Sequence, residues 1–247
     1  MENKNKPKDS DSILGKFPPL TPENIDIIEE EVKKDPTYGD EANEKELEDY
    51  FTSDNNALNV DRNIVLHKIF LIDYTNSTNL YRQKKKLTVF TLADRISKIK
   101  DLDKKIREGN IDIVNELAEQ TYDLRQDDTE SSEDYSLKEG KIILFSFASK
   151  YCLYHNRICY NGDAYSIYDR VVASAIPEYL KKTKKYSSER CRKNADYKTY
   201  HNYISEIIEL YGLKGDGIRR KLDHFLWFPN KKAFYQKKES KNSFTPV

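Results

Sequence analysis

Apolar residues recur along this chain mainly at three- and four-residue intervals, the period of a helix face, and no sustained alternation marks a sheet. Ile25, Ile28 and Val32 form the first stripe. Thr21 stands as its N-cap, Pro22 at the first helical position, Asn24 where a capping box would place an acid, and Pro36 ends it. Ile64, Leu66, Ile69, Phe70 and Ile72 predict a second helix face, which Asp73 to Asn79 break. Leu87 to Phe90 fit a brief strand, whereas Leu92, Ile96 and Ile99 argue for a helix. Leu102, Ile106, Ile111, Val114, Leu117 and Ala118 predict two helices parted by Gly109 and Asn110, before a polar interruption at Asp127 to Asp134.

The second half is more sharply patterned. Lys141 to Phe147 compose either a strand or the start of a buried helix running through Tyr154, and the helix is the favoured reading. Asn161-Gly162-Asp163 is a turn signal, and Asp169 is placed to cap a helix carrying Val171, Val172 and Ile176. Tyr197, Tyr200, Ile204, Ile207, Ile208 and Tyr211 make a long stripe that Gly212 ends. Ile218, Leu222, Phe225 and Leu226 make a last one that reaches Trp227, with Pro229 expected to interrupt it. The expected fold is mainly α: a compact multi-helical domain with an acidic N-terminal extension. Its divisions are a flexible leader 1–20, an acidic helical extension 21–60, an N-terminal helical subdomain 61–135, a C-terminal helical region 136–230 and a flexible basic tail 231–247.

Charge sharpens that division. The 247 residues are formally neutral, yet residues 1–60 hold sixteen acids and seven bases, a net of minus 9. From 181 onward seventeen bases meet seven acids, a net of plus 10. The basic end can supply a field for phosphates. The acidic stretch 40–56, patterned only by Leu47, Tyr50 and Phe51, would lie across the domain, bind a protein partner, or occupy the basic groove as a nucleic-acid mimic. No apolar run is long enough to cross a bilayer, so no membrane partner is expected. No secretory leader is evident, and Cys152, Cys159 and Cys191 form an odd trio; a cytoplasmic setting follows as the expectation. No thiolate and imidazole cluster or glycine-rich nucleotide loop is seen, so no metal or cofactor is expected.

Candidate chemistry gathers at Ser149-Lys150-Tyr151-Cys152-Leu153-Tyr154-His155 and Tyr165-Ser166-Ile167-Tyr168-Asp169-Arg170-Val171. A lysine in one helix and an aspartate at the head of the next can attack and stabilise a sugar carbon if folding joins them. With that spacing and setting, residues 140–176 resemble the helix-hairpin-helix DNA glycosylase superfamily, most nearly its 8-oxoguanine glycosylase branch. The resemblance extends loosely over the C-terminal half, with Ile218 to Trp227 echoing a later buttressing helix and 136–230 as the glycosylase-like region. It implies Lys150 as nucleophile and Asp169 as the carboxylate that steadies a positive sugar, on DNA carrying a damaged or modified base, with abasic-site lyase chemistry to follow. His155 is then a candidate acid or base, Phe147, Tyr151 and Tyr154 candidates for the base pocket, and Arg170, Arg219, Arg220 and Lys221 for phosphate contacts. The family hairpin reads Leu-Pro-Gly-Val-Gly-X-Lys; Phe145 to Lys150 lack both glycines, and three cysteines cannot supply the four thiolates of the cluster some relatives carry. The alternative is a noncatalytic nucleic-acid-binding or protein-interaction module, in phage defence or a toxin-antitoxin setting. Lys150 would then only cover apolar area with its stem, and Asp169 would only cap.

Overall fold

The computed structural model describes residues 17–35, 41–53, 56–76, 78, 80, 87–123, 139–180 and 196–242. Ten helices among them carry the architecture, and a two-stranded antiparallel hairpin is the sheet. The fold is mainly α. The chain divides into two compact units: a central one, Glu41–Tyr168, and a terminal one made of Met1–Asp40 with Asp169–Val247.

In the central unit the order is α2 (Glu41–Thr52), α3 (Arg62–Asn76), α4 (Val89–Ile96), α5 (Leu102–Arg107), α6 (Asp112–Ala118), β1 (Glu119–Asp123), β2 (Glu139–Ile143) and α7 (Phe145–Tyr160). Leu47 and Phe51 of α2 are fully buried, so the acidic stretch holds a core helix rather than a loose mimic. Thr88 accepts from Thr91 N as N-cap of α4, which makes Val89–Ile96 helix rather than strand, while Ile99 falls in the turn beyond it. Its core side is Leu92, Ala93 and Ile96.

Two expectations are corrected here. The favoured helix from Lys141 begins only at Phe145, because Ile142 and Ile143 pair with Gln120 and Glu119 in the hairpin. The α3 face is also rotated. Val65, Lys68, Ile69 and Ile72 point inward while Phe70 is 46% exposed. Phe70 meets Phe90 of α4 edge to face instead, at 6.4 Å between centroids.

The link from α7 onward is pinned backbone. Asn161 closes α7 in the left-handed region, and Tyr165 Oη, with one proton to give, lies within 3.3 Å of the carbonyl oxygens of Lys105, Ile106 and Asn110. Gly109, at φ +68°, lets this segment approach: a Cβ there would lie 2.8 Å from that of Ala164.

The terminal unit contains α1 (Pro22–Lys34), α8 (Arg170–Tyr179), α9 (Tyr197–Leu210) and α10 (Ile218–Asn242). Thr21 and Pro22 start α1 as expected, and Ile25, Ile28 and Val32 are its buried stripe. Tyr197, Tyr200, Ile204 and Ile207 are buried on α9, with His201 among them. Pro229 does not interrupt the last helix. Proline removes only the donor that would reach Phe225 O, and α10 continues to Asn242. Asp26 and Glu29 of α1 and Asp35, its C-cap, meet Lys221, His224 and Lys231 of the basic α10 at 3.3, 2.7 and 3.5 Å. Three opposite charges from the two ends of the chain thus pair within one unit.

Candidate functional site

Lys150 sits in the second turn of α7, where its side chain is carried inward rather than to water. The residue is 9% exposed, and Nζ donates to Asn76 O, at the end of α3, over 2.9 Å. Tyr154, one turn on, donates to Asn76 Oδ1 at 2.7 Å. The last carbonyls of a helix lack intrahelical donors and carry partial negative charge, so an ammonium is well placed there. A lysine whose amine reaches out to water is therefore not what the fold holds.

Asp169 belongs to the terminal unit and caps α8 as expected, with Oδ1 accepting from Val171 N at 2.6 Å. Immediately before it, Tyr168 N donates to Ser149 Oγ at 2.9 Å, and the Tyr168 ring packs on Phe145 at 5.6 Å. The residue ahead of Asp169 is thereby tied to the residue ahead of Lys150, both within the central unit.

The aromatic candidates lie deeper than a base pocket needs. Phe147 and Tyr151 are essentially fully buried, their rings 5.7 Å apart, and Tyr154 is buried beside them. Phe147 and Tyr151 offer no open face for stacking. The basic candidates all fall in the terminal unit: Arg170 is exposed, Arg219 donates to Ser205 Oγ at 2.9 Å, Lys221 pairs with Asp26, and the charge of Arg220 acts on Glu29.

Around His155 the fold assembles a buried polar network that the sequence pattern does not announce. Asn59, in the turn before α3, is its hub. Its Oδ1 accepts from Tyr151 Oη at 2.6 Å and Lys68 Nζ at 3.1 Å. Its Nδ2 donates to Asp103 Oδ1 at 2.9 Å, and its backbone N–H reaches both Asp103 oxygens. His155 Nε2 lies 3.0 Å from Asp103 Oδ1, which makes it the donor and leaves Nδ1 to accept from Lys68 Nζ at 3.4 Å. Cys159 Sγ stands 3.8 Å from the same Nδ1.

The electrostatics follow from burial. Desolvation lowers Lys68 to about 8 although Cys159 and Asp103 pull the other way. Burial lowers His155 too, against its bond to Asp103, so the imidazole stays neutral. Burial alone would raise Asp103, but the bonds from His155 and Asn59 N and the charges of His155 and Lys68 hold it below the usual carboxylate range. Burial also raises the Cys159 thiol, which leaves it a poor nucleophile beside its histidine. Cys152 and Cys159 are free thiols, and Cys191 lies outside the described residues. Among the described residues no three His, Cys, Asp or Glu side chains gather as a metal site, and no helix is long and apolar enough to cross a membrane.

Lys68, Asn59 and Asp103 escape sequence reasoning because each is a polar residue in an unremarkable setting. One signal was present: Lys68 falls three residues after Val65 and four before Ile72, inside the α3 stripe rather than opposite it.

The chain belongs to the family HI_0787_N, described as an N-terminal domain, whose model matches residues 24–159. An uncharacterized protein of Haemophilus influenzae is 31% identical over 176 residues, which cover 70% of this chain and 70% of that relative. No solved structure matches the chain. Lys150 and the whole network around Asn59 lie inside the matched range, whereas Asp169 lies beyond it.

Proposed function

We propose that the protein is a DNA glycosylase with abasic-site lyase activity, acting on a damaged or modified base in the cytoplasm. The observation that carries this reading is a buried amine held in the second turn of one helix and a carboxylate fixed at the head of the next, with the residues just ahead of them joined by the Ser149 to Tyr168 bond. In the proposed reaction the base leaves the stack, since its sugar is unreachable inside a duplex. Lys150, after losing a proton and releasing Asn76 O, bonds to C1′ as the glycosidic bond breaks, and the departing base takes the bonding pair and a proton. Asp169 offsets the positive charge that develops on the sugar. Opening of the sugar ring gives a protonated imine, and loss of a C2′ proton then expels the 3′ phosphate.

Borohydride reduces that imine to a stable amine, so trapping on a panel of modified and abasic duplexes tests the reading. Wild-type protein forms a covalent adduct and Lys150→Gln forms none. If no duplex yields an adduct while DNA is still bound, the reaction is wrong. A noncatalytic DNA-binding or protein-interaction module is the second reading. It is favoured by the fact that both groups have structural partners already, Lys150 on Asn76 O and Asp169 on Val171 N.

A further inference from the structure

The amine of Lys150 is held by the end of a helix, the part that opens most easily. Nζ donates to the carbonyl oxygen of Asn76, the last residue of α3, over 2.9 Å, and Tyr154 Oη donates to the side-chain oxygen of the same residue at 2.7 Å. Lys150 and Tyr154 stand one turn apart on α7, so one face of that helix grips one residue twice. The gripped turn is braced from within. Asn76 Nδ2 donates to Thr75 Oγ1, and Thr75 Oγ1 donates to Leu71 O, both at 2.7 Å. The final carbonyls of a helix lack intrahelical donors, and helix ends fray at far lower cost than helix interiors open. Asn76 is half-buried while Lys150 is buried, so the covering turn stands nearer to water than the amine it holds.

We infer that the last turn of α3 is a latch on Lys150, closed in the free protein, and that Asn76 and Tyr154 are the positioning residues that set how often it opens. The inference rests on the reading above in taking Lys150 as the amine that reacts with the sugar. In the closed state the nitrogen is buried and engaged, out of reach of C1′. In the open state Asn76 has released both Nζ and the Tyr154 hydroxyl, and the amine meets solvent. A substrate that fits only the open state draws the equilibrium towards it, by as much as it prefers that state. The latch thus withholds the amine from stray aldehydes until a substrate opens it.

Formaldehyde with cyanoborohydride reads the open state of the full chain without DNA. The amine condenses with the aldehyde, water leaves, and hydride reduces the imine to an N-methyl group that peptide mass spectrometry assigns to its lysine. In the wild type Lys150 should be methylated far more slowly than Lys104, whose side chain is 67% exposed. Tyr154→Phe and Asn76→Ala each remove the bond between the two residues and leave the backbone acceptor of Nζ in place. Each should raise the Lys150 rate about fivefold, the factor that one hydrogen bond of ordinary net strength is worth. The double variant should gain no more than Asn76→Ala alone, because the bond that Tyr154→Phe deletes is already gone. Lys68, fully buried two turns earlier on α3, is the control and should keep its wild-type rate. Tyr154→Phe keeps the ring in place and carries the test alone should Asn76→Ala fold poorly. Methylation of wild-type Lys150 at the Lys104 rate, or an unchanged Lys150 rate in the variants, overturns the latch. So does a parallel rise at Lys68, which would mean that the unit loosens as a whole and that the Asn76 contact is packing alone. Borohydride trapping on an abasic duplex separates the latch from the chemistry. Faster methylation in the variants with no adduct from any duplex sinks the glycosylase reading and leaves the latch, whereas a wild-type adduct with unchanged methylation in the variants sinks the latch and leaves the reading.

Discussion

Asn59 takes two donors on its side-chain oxygen and gives both its side-chain amide and its backbone N–H to Asp103, so its side chain does work no apolar residue could replace. Asn59→Ala would strand the Tyr151 hydroxyl, the Lys68 amine and part of the Asp103 carboxylate in the interior. The expected loss is about 3 kcal/mol of stability, the penalty for buried polar groups left without partners, read as a lower urea midpoint at unchanged slope. Lys68 adds a pH signature. Its folded value of about 8 lies below its ordinary 10.5, so between those limits the unfolded chain binds more protons and stability rises with pH. Below pH 8 the buried charge costs the fold up to about 3 kcal/mol. Tyr151 and Cys152 oppose it, because burial keeps both protonated and the fold loses stability where the unfolded groups ionise. The measurement is thus a difference: wild type should gain stability relative to Lys68→Met between pH 8 and 10.5. Parallel curves would mean the amine is not buried as charge. Of this only the place of Lys68 inside the stripe of Val65 and Ile72 is legible in the sequence; its acceptors come from a neighbouring turn that no spacing announces.

Helices were the readable level of this protein. The stripes on α1 and α9, the Thr21 and Asp169 caps, and the turns at Asn161 and Gly212 all declare themselves in residue type and spacing. Errors arose where two patterns overlap or where a partner decides. Ile142 and Ile143 can extend a helix or pair in a hairpin, and only the strand Glu119–Asp123 settles which. Phe70 looked like core because it is apolar, but α3 has one buried arc and Ile69 and Ile72 already fill it. Pro229 reads as a stop from sequence, yet it removes only the bond that would reach Phe225 O, and the helix continues to Asn242. At the cap of α8 the structural and chemical readings of Asp169 separate cleanly. Asparagine caps as well as aspartate, whereas alanine costs about 1 kcal/mol. Asp169→Asn should therefore melt close to wild type yet lose most borohydride trapping, and Asp169→Ala should lose both. Equal trapping by wild type and Asp169→Asn would reduce the carboxylate to a cap.

At the scale of the whole chain, the charge imbalance that suggested a groove for phosphates turns out to be spent in part on folding, through the α1 and α10 pairs. Exposed pairs of this kind contribute little each, but His224 and Glu29 are mostly shielded from water. Burial would raise Glu29, yet the bond from His224 and the charges of His224, Arg220 and Lys33 hold it low, so its stabilisation is present above the ordinary carboxylate range and lost as pH falls through the lowered value. His201 acts in the same direction at higher pH. Burial, then the Arg219 charge, lowers it to about 4 from 6.5; the unfolded chain takes up a proton that the fold refuses, and stability falls as pH drops between those values. That loss should be about 2 kcal/mol after allowance for partial screening. In the central unit the neutral His155 and the depressed Asp103 have the same sign. The protein should thus be acid-labile through both units. His201→Gln, which cannot take up the proton, should narrow the difference in unfolding free energy between pH 7 and pH 4, read as urea midpoint times slope, by that amount. An unchanged gap would mean that His201 ionises as readily in the fold as in the unfolded chain, and that its buried Nδ1, without a partner among the described residues, does not see the low dielectric its position implies.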